Sequence, residues 1–282
     1  MNADDFGLTL GVNRAVMELH QLGALTSATL MAHAAATEDG IALALKTPTL
    51  GVGCHIVLVD GDPLLPAHEI PTLVDQKTGR FYPTLGAFLS RLLLGRIRSA
   101  EIEAEAAAQI ESLQSWGLRL THIDTHKHTH MFRAVLCPLL RAARAAGIRA
   151  VRNPFEPSWS CRATPGAPIV RRLEVDLLRP LELTFHRIVA EEGFATTNGA
   201  LGVLATGTLN ATTITSLLGS IPPGTWELVT HPGYNDLDLD QARTRLKASR
   251  DIERQGLLAI QAPDGVELVS FAQLIAEGTA HS

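Results

Sequence analysis

Residues 120–154 read LTHIDTHKHTHMFRAVLCPLLRAARAAGIRAVRNP. LTHIDT (120–125) predicts a strand, and RAVLCPLLRAARAAG (133–147) predicts a helix closed by Gly147. IRAVRNP (148–154) predicts a second strand, halted by Pro154. Strand, crossover helix and strand in this short a span make a βαβ unit, whose two strands run parallel. Four histidines (His122, His126, His128 and His130) and Asp124 crowd the point where the first strand gives way to the helix.

The same alternation spreads outward. SATLMAH (27–33), GVGCHIVL (51–58), WELVTHPG (226–233) and VELVSF (266–271) read as strands. Residues 36–47, 99–117 and 238–256 read as helices. In the second of these, Ser99 is placed to cap, Ile102, Ala106, Ile110 and Leu113 form one apolar stripe, and Gly117 ends the helix. An α/β chain with a parallel sheet follows, and at 282 residues a (β/α) barrel-like closure is the natural reading. Only Met1 precedes NADD, so the first strand is expected to be short or incomplete. The whole span 1–282 reads as one domain, with an aperiodic lid-like loop at 61–85. No period emerges from 156 to 202.

Composition narrows the class. Net charge is −5, with none of the basic surplus of a nucleic-acid binder. The three cysteines are widely spaced, which suits reduced thiols in the cytoplasm. There is no apolar run of transmembrane length and no secretory leader pattern at the N-terminus. FLSRLLLGRIR (88–98) reads as an ordinary amphipathic helix, with a lipid tail or the inner face of a membrane as the alternative contact. Nothing in the sequence fixes an oligomeric state.

Polar residues gather at strand ends: Asp4 and Asp5, His55, Asp124 to His128, Arg152 and His231. In a barrel-like fold that end builds the site. If the chain stays extended, His126, His128 and His130 face one way. Imidazoles alternating beside a carboxylate suit a divalent metal with nitrogen and oxygen ligands, zinc or magnesium. The competing reading is a solvated histidine-rich loop. Asp4 and Asp5 alone are weak, since adjacent strand side chains diverge and Asp pairs are common in turns. His55 amid apolar residues is commonly a core histidine, and His231 before Pro-Gly is commonly a turn residue.

NADDFG, GVGCHIVL, HIDTHKHTHMF and VTHPGY, in that order, resemble the YdjC-like family of carbohydrate deacetylases. The tail from HPGYND onward is more similar to the hopanoid-biosynthesis-associated (HpnK-like) branch than to the chitooligosaccharide deacetylases. The resemblance implies a barrel-like fold of the glycoside hydrolase/deacetylase superfamily and one divalent metal on an Asp–His–His triad. Carried over motif by motif, the ligands are Asp5, His55 and His126. Asp4 takes the position of a general base, His231 that of a general acid, and Arg152 that of a residue orienting the base. Where the family runs three histidines together, this chain has Lys127 in the middle, and Lys127 is expected to point away from the ligands. Asp124, His128, His130, Glu227 and Tyr234 are then supporting or substrate-facing residues. The implied substrate is an N-acetylated amino sugar, with an N-acetylglucosaminyl hopanoid first and a chitooligosaccharide second. A non-catalytic metal or sugar binder needs neither Asp4 nor His231. A glycosidase needs two carboxylates about 5–9.5 Å apart, and only Asp124 offers itself as the second.

Overall fold

The computed structural model describes residues 1–164 and 166–280. Pro165 and the last two residues of the expected 1–282 domain lie outside the described residues. One parallel sheet holds β1 (Asn2–Phe6), β2 (Ser27–Leu30), β3 (Gly51–Ile56), β4 (Ile123–Thr125), β5 (Ala200–Leu201) and β6 (Glu227–Thr230). Their order across the sheet is β4-β3-β2-β1-β6-β5. The sheet curls. Beyond β4, Val151 bridges Ile123 and Ala150 bridges Ala195, and the chain after Ala195 runs on into β5. Backbone bridges thus join the two edges, as the barrel-like reading expects.

Apolar faces of the helices fill the space outside the sheet. Ile102, Ala106, Ile110 and Leu113, the stripe predicted on the helix Ser99–Ser115, are all fully buried. Gly117 at φ 89° and Gly147 at φ 80° close their helices in the left-handed region. Ser99 does not cap; it is the first helical residue, and Arg98 precedes it without a side-chain cap. β1 is a five-residue strand paired on both sides, and all five residues are buried.

Several sequence expectations give way. IRAVRNP contributes only the bridges at Ala150 and Val151. VELVSF is not a strand, because both flanks of the sheet are occupied. Residues 269–271 cross beneath the strand starts instead: the Thr26 hydroxyl donates to Val269 O, the Phe271 amide donates to the Ser27 hydroxyl, and Phe271 opens a helix. The late helix is two, Leu237–Gln241 and Ala248–Leu258. The segment 61–85 has no helix before Leu85 and one bridge, Val74 to Phe81. It is fastened down: buried Glu101 accepts from the Thr72 amide, and buried Glu105 from the amides of Leu64 and Leu65. The stretch 156–202 forms short helices, including Ile169–Leu178 and Glu182–Glu191.

Candidate active site

The inside of the curled sheet is polar, where a barrel core would ordinarily stack branched aliphatics. Asp4 from β1, Thr29 from β2, His55 from β3, Asp124 from β4 and Glu227 from β6 are buried there, around a fully buried Arg152. Burying a guanidinium is costly unless its donors are paired. Arg152 Nη1 and Nη2 donate to both oxygens of Asp4 at 2.7 and 2.6 Å. Its Nε and Nη2 donate to Glu227 Oε1 at 2.8 and 2.7 Å, and Nη1 also meets Asp124 Oδ2.

β1 carries an irregularity that the carboxylates require. Between Ala3 and Phe6 its register against β2 slips by one residue, and Asp5 takes φ 61°. A left-handed non-glycine residue costs about 1–3 kcal/mol and persists where its surroundings impose it. On a regular strand neighbouring side chains point to opposite faces. The bulge lets Asp4 and Asp5 serve one site. Gly7 completes the turn: its φ is 93°, and a Cβ there would sit 3.0 Å from Leu30 Cδ1 and 3.3 Å from Thr37 Cα.

Asp5, His55 and His126 converge at the mouth of the sheet. Asp5 Oδ1 lies 3.3 Å from His55 Nε2 and 3.4 Å from His126 Nδ1, and the two imidazole nitrogens are 3.3 Å apart. His55 Nδ1 lies 2.8 Å from Asp124 Oδ1, so it donates there and leaves the Nε2 lone pair facing the triangle. Among the described residues, buried Asp5 Oδ1 meets no donor beyond these two imidazoles, and Arg250 Nη2 holds the other oxygen, Oδ2. Ligands about 2.0–2.1 Å from a tetrahedral ion stand about 3.3–3.4 Å apart, which is the edge of this triangle. The residues present therefore fit a divalent cation. A second acidic group, Asp4, His55 and Asp124, also lies close together, but Arg152 occupies both of its carboxylates.

Electrostatics agree with a cation site. Burial would lower the His55 imidazole, yet Asp124, Asp5 and Asp4 outweigh it and hold its pKa well above the usual value. That field favours positive charge at Nε2, where a divalent ion would take the proton's place. Burial would raise Asp4, but Arg152 holds it below the usual carboxylate range. Asp5 is likewise lowered, against burial, by Arg250. Burial raises Glu227 despite its contact with Arg152.

Asp4 and His231 flank the triangle. His231 follows β6, and its Nε2 lies 3.8 Å from Asp4 Oδ2. Asp4 Oδ1 is fully engaged by Arg152, Asn2 at 2.9 Å and Thr29 at 3.4 Å, while Oδ2 accepts only from Arg152 Nη1. That leaves an Oδ2 lone pair on the His231 side. Glu253 fixes His231, accepting from its amide at 2.6 Å and facing Nδ1 at 3.8 Å. Burial would lower the His231 pKa, but Glu253, Asp4 and Asp5 raise it.

The remaining histidines separate. The extended reading of residues 126–130 fails, since β4 ends at Thr125 and a 3₁₀ turn spans His126–Met131, with Lys127 and His128 at φ 58° and 53°. Lys127 turns away to Asp60 at 2.6 Å. His130 binds the Thr125 hydroxyl at 2.7 Å and Arg152 O at 3.1 Å; His128 lines an adjoining apolar cavity. Burial lowers their pKa values to about 4 and about 3. His122 stacks on Phe271 at 3.8 Å, beneath the site. Tyr234 donates to Glu18, and its ring is clamped by Arg14 and Arg254 at 3.7 and 4.1 Å; none of these contacts is with the ligand group. Asp124 is spent on His55 and Arg152.

Arg250 and Glu253 are absent from the sequence reading. They sit one turn apart on the helix Ala248–Leu258, whose charged side is turned inward, with Arg250, Glu253 and Arg254 all buried. The only signal is a charged i, i+3 pair next to Gly256 and Leu257, which a solvated helix shares.

Over 143 residues, 51% of the chain is 41% identical to a carbohydrate deacetylase of Brevibacillus brevis. There, and for a Geobacillus stearothermophilus relative of the same name at 46% identity, the match spans about half the relative's length. A carbohydrate deacetylase of Oceanobacillus iheyensis is 28% identical over 95% of this chain and 98% of its own. The crystal structure of an Enterococcus faecalis protein named for cellobiose-phosphate cleavage superposes with a TM-score of 0.75 and 25% identity, covering 97% of both chains. The model of the YdjC-like protein family matches residues 1–264, and the chain belongs to that family.

Proposed function

We propose that this chain is a metal-dependent deacetylase that hydrolyses the N-acetyl group of an amino sugar. The observation that carries the reading is the 3.3–3.4 Å triangle of Asp5 Oδ1, His55 Nε2 and His126 Nδ1, with Asp4 and His231 beside it. Two imidazoles and a carboxylate at a tetrahedral spacing favour zinc over magnesium, which prefers oxygen ligands in octahedral geometry. A divalent ion held there supplies Lewis acidity for water and for the acetyl carbonyl.

The chain's own residues then move the protons. Asp4, kept ionised by Arg152, takes one proton from the attacking water at Oδ2. The water oxygen bonds to the acetyl carbon, and the C–N bond breaks. His231, held by Glu253, gives its proton to the departing nitrogen, so acetate and a free amine leave. Arg152 keeps Asp4 aimed, because rotating that carboxylate breaks two buried hydrogen bonds. The curated relatives named carbohydrate deacetylase support the reaction class.

For the substrate we favour a lipid-linked amino sugar, an N-acetylglucosaminyl hopanoid, acted on in the cytoplasm. The support is an apolar cavity of ≈170 Å³ at the turn that carries His126, lined by Leu85, Leu89, Met131, Phe132, Phe155 and Val175 among others. A chitooligosaccharide would use aromatic platforms, but Tyr82 and Phe81 are buried and Trp159 packs edge-on against Trp226. The test is acetate release from N-acetylglucosaminyl hopanoid and from diacetylchitobiose, each with and without chelator. Chelator-sensitive release from the hopanoid supports the full reading. Release from chitobiose alone keeps the chemistry and replaces the substrate. Release from neither, with metal bound, contradicts the proposal.

A further inference from the structure

The helix Ile169–Leu178 has no fully buried side chain. Ile169 is 76% exposed, Val170 66%, Leu173 63% and Leu177 79%, and Leu183 just beyond it is 81% exposed. Another side of this segment lines the cavity at the turn that carries His126, through Val175 and Leu178 and through Arg171, Glu174 and Arg179. The helix therefore keeps a mixed side toward the cavity and turns an apolar side to solvent. Across the cavity, the helix Leu85–Leu93 offers Leu85 and Leu89, and the apolar run continues outward to Leu93 and Leu94, 74% and 66% exposed. Between them lie Lys127 and His128, from the turn that carries His126. Single exposed leucines are ordinary on a protein surface, but two such helices flanking one cavity mark an interaction site.

Charge distinguishes the partner. Residues 85–98 and 169–179 hold six arginines in a chain of net charge −5; Arg91, Arg96, Arg98 and Arg172 are exposed, whereas Arg171 donates to Val203 O and Arg179 pairs with Asp176. Exposed leucines interleaved with arginines are the composition of a helix that lies in a bilayer interface, its apolar side chains in the acyl boundary and its guanidiniums at the phosphates. A second copy docking through the same patch would set like charges face to face.

We propose that these two helices form a docking surface for an anionic lipid bilayer, which places the apolar cavity and the Asp5–His55–His126 site at the membrane face. The surface stands whether or not the deacetylase reading does, because none of its exposed leucines belongs to the ligand group.

The test is co-sedimentation of the full chain with vesicles of phosphatidylcholine alone or mixed with phosphatidylglycerol. Binding to the mixed vesicles is expected, weakening as salt is raised. Leu173→Glu with Leu177→Glu, and separately Leu93→Glu with Leu94→Glu, should each weaken it by about tenfold or more. Acetate release from a soluble N-acetyl sugar should stay at the parent level in both pairs, which separates loss of docking from loss of fold. No binding to anionic vesicles, binding indifferent to both pairs, or a dimer that the glutamates dissolve in a chain that ignores vesicles would overturn the proposal.

Discussion

Asp4 and Asp5 are neighbours with opposite fates, and their surroundings decide which is which. Asp5 is left-handed, its Oδ2 tied to Arg250 and its Oδ1 left free toward two imidazoles. Asp4 is tied at both oxygens to Arg152, yet keeps one lone pair toward His231. Asp4→Asn should therefore keep the metal and lower kcat by about 100- to 10,000-fold, the usual worth of one proton-transfer role. Metal content and acetate release measured on the same preparation check this. His231 provides a pH test. Its raised pKa means the acid form is present below that pKa and is lost as pH rises through it, so kcat should fall on the alkaline side. Glu253 is a main cause of the raising, and Glu253→Gln should move that limb to lower pH; an unmoved limb excludes His231 as the acid. Read on their own, His55 looks like a core residue and His231 like a turn residue; the resemblance to the YdjC-like family is what singles them out with His126. The split between Asp4 and Asp5 likewise rests on that resemblance, because the one-residue bulge behind it is encoded by no pattern of residue types.

The site rests on elements whose interiors are unusually polar, and each tolerates little change. β3 passes directly over His122, and a Cβ at Gly53 would stand 2.6–2.8 Å from three atoms of that ring, which also stacks on Phe271. Gly53→Ala should destabilise the fold by about 1–3 kcal/mol, as overpacking does, and urea denaturation would show it. The helix Ala248–Leu258 supplies Arg250, and removing it strands the buried Asp5 carboxylate. Arg250→Met should cost about 3–5 kcal/mol without metal and less when zinc saturates the site, since the ion then balances Asp5. An equal loss with and without zinc would detach Arg250 from the metal site. The stripe on Ser99–Ser115 is legible because its apolar period matches its burial, and the strands SATL, GCHI and ELVT because short runs rich in apolar and β-branched residues read as strands. VELVSF and the inward-facing charges of the last helices are not. One is an alternating run with no vacant sheet edge to join, and the other breaks the rule that charge faces water.

Seen whole, the molecule is a curled sheet whose interior holds one guanidinium among three carboxylates, capped at one end by the ligand triangle. No helix among the described residues is long and apolar enough to cross a membrane. The barrel-like α/β class is legible in the alternation of strands and helices. Asp4, Asp124 and Arg152 are legible as polar residues at strand ends, but their burial with Glu227 around one guanidinium is not, because it depends on four distant segments that the curled sheet brings together. A metal bound by the folded chain alone stabilises it by mass action, about 2.7 kcal/mol at a hundred times Kd. Zinc should raise Tm by several degrees and a chelator should remove the gain. The increment should vanish in His55→Ala and persist in His130→Ala, whose imidazole binds Thr125 and Arg152 O.

The central claim, that Asp5, His55 and His126 together hold the metal that the hydrolysis requires, is tested most directly by Asp5→Ala. Metal per chain and acetate release are measured on the same sample, beside the parent protein. About one divalent ion per chain and chelator-sensitive acetate release are expected in the parent. In Asp5→Ala both should be lost together, with the fold retained by circular dichroism. A folded Asp5→Ala chain that still carries its ion, or still releases acetate at the parent rate, would contradict it.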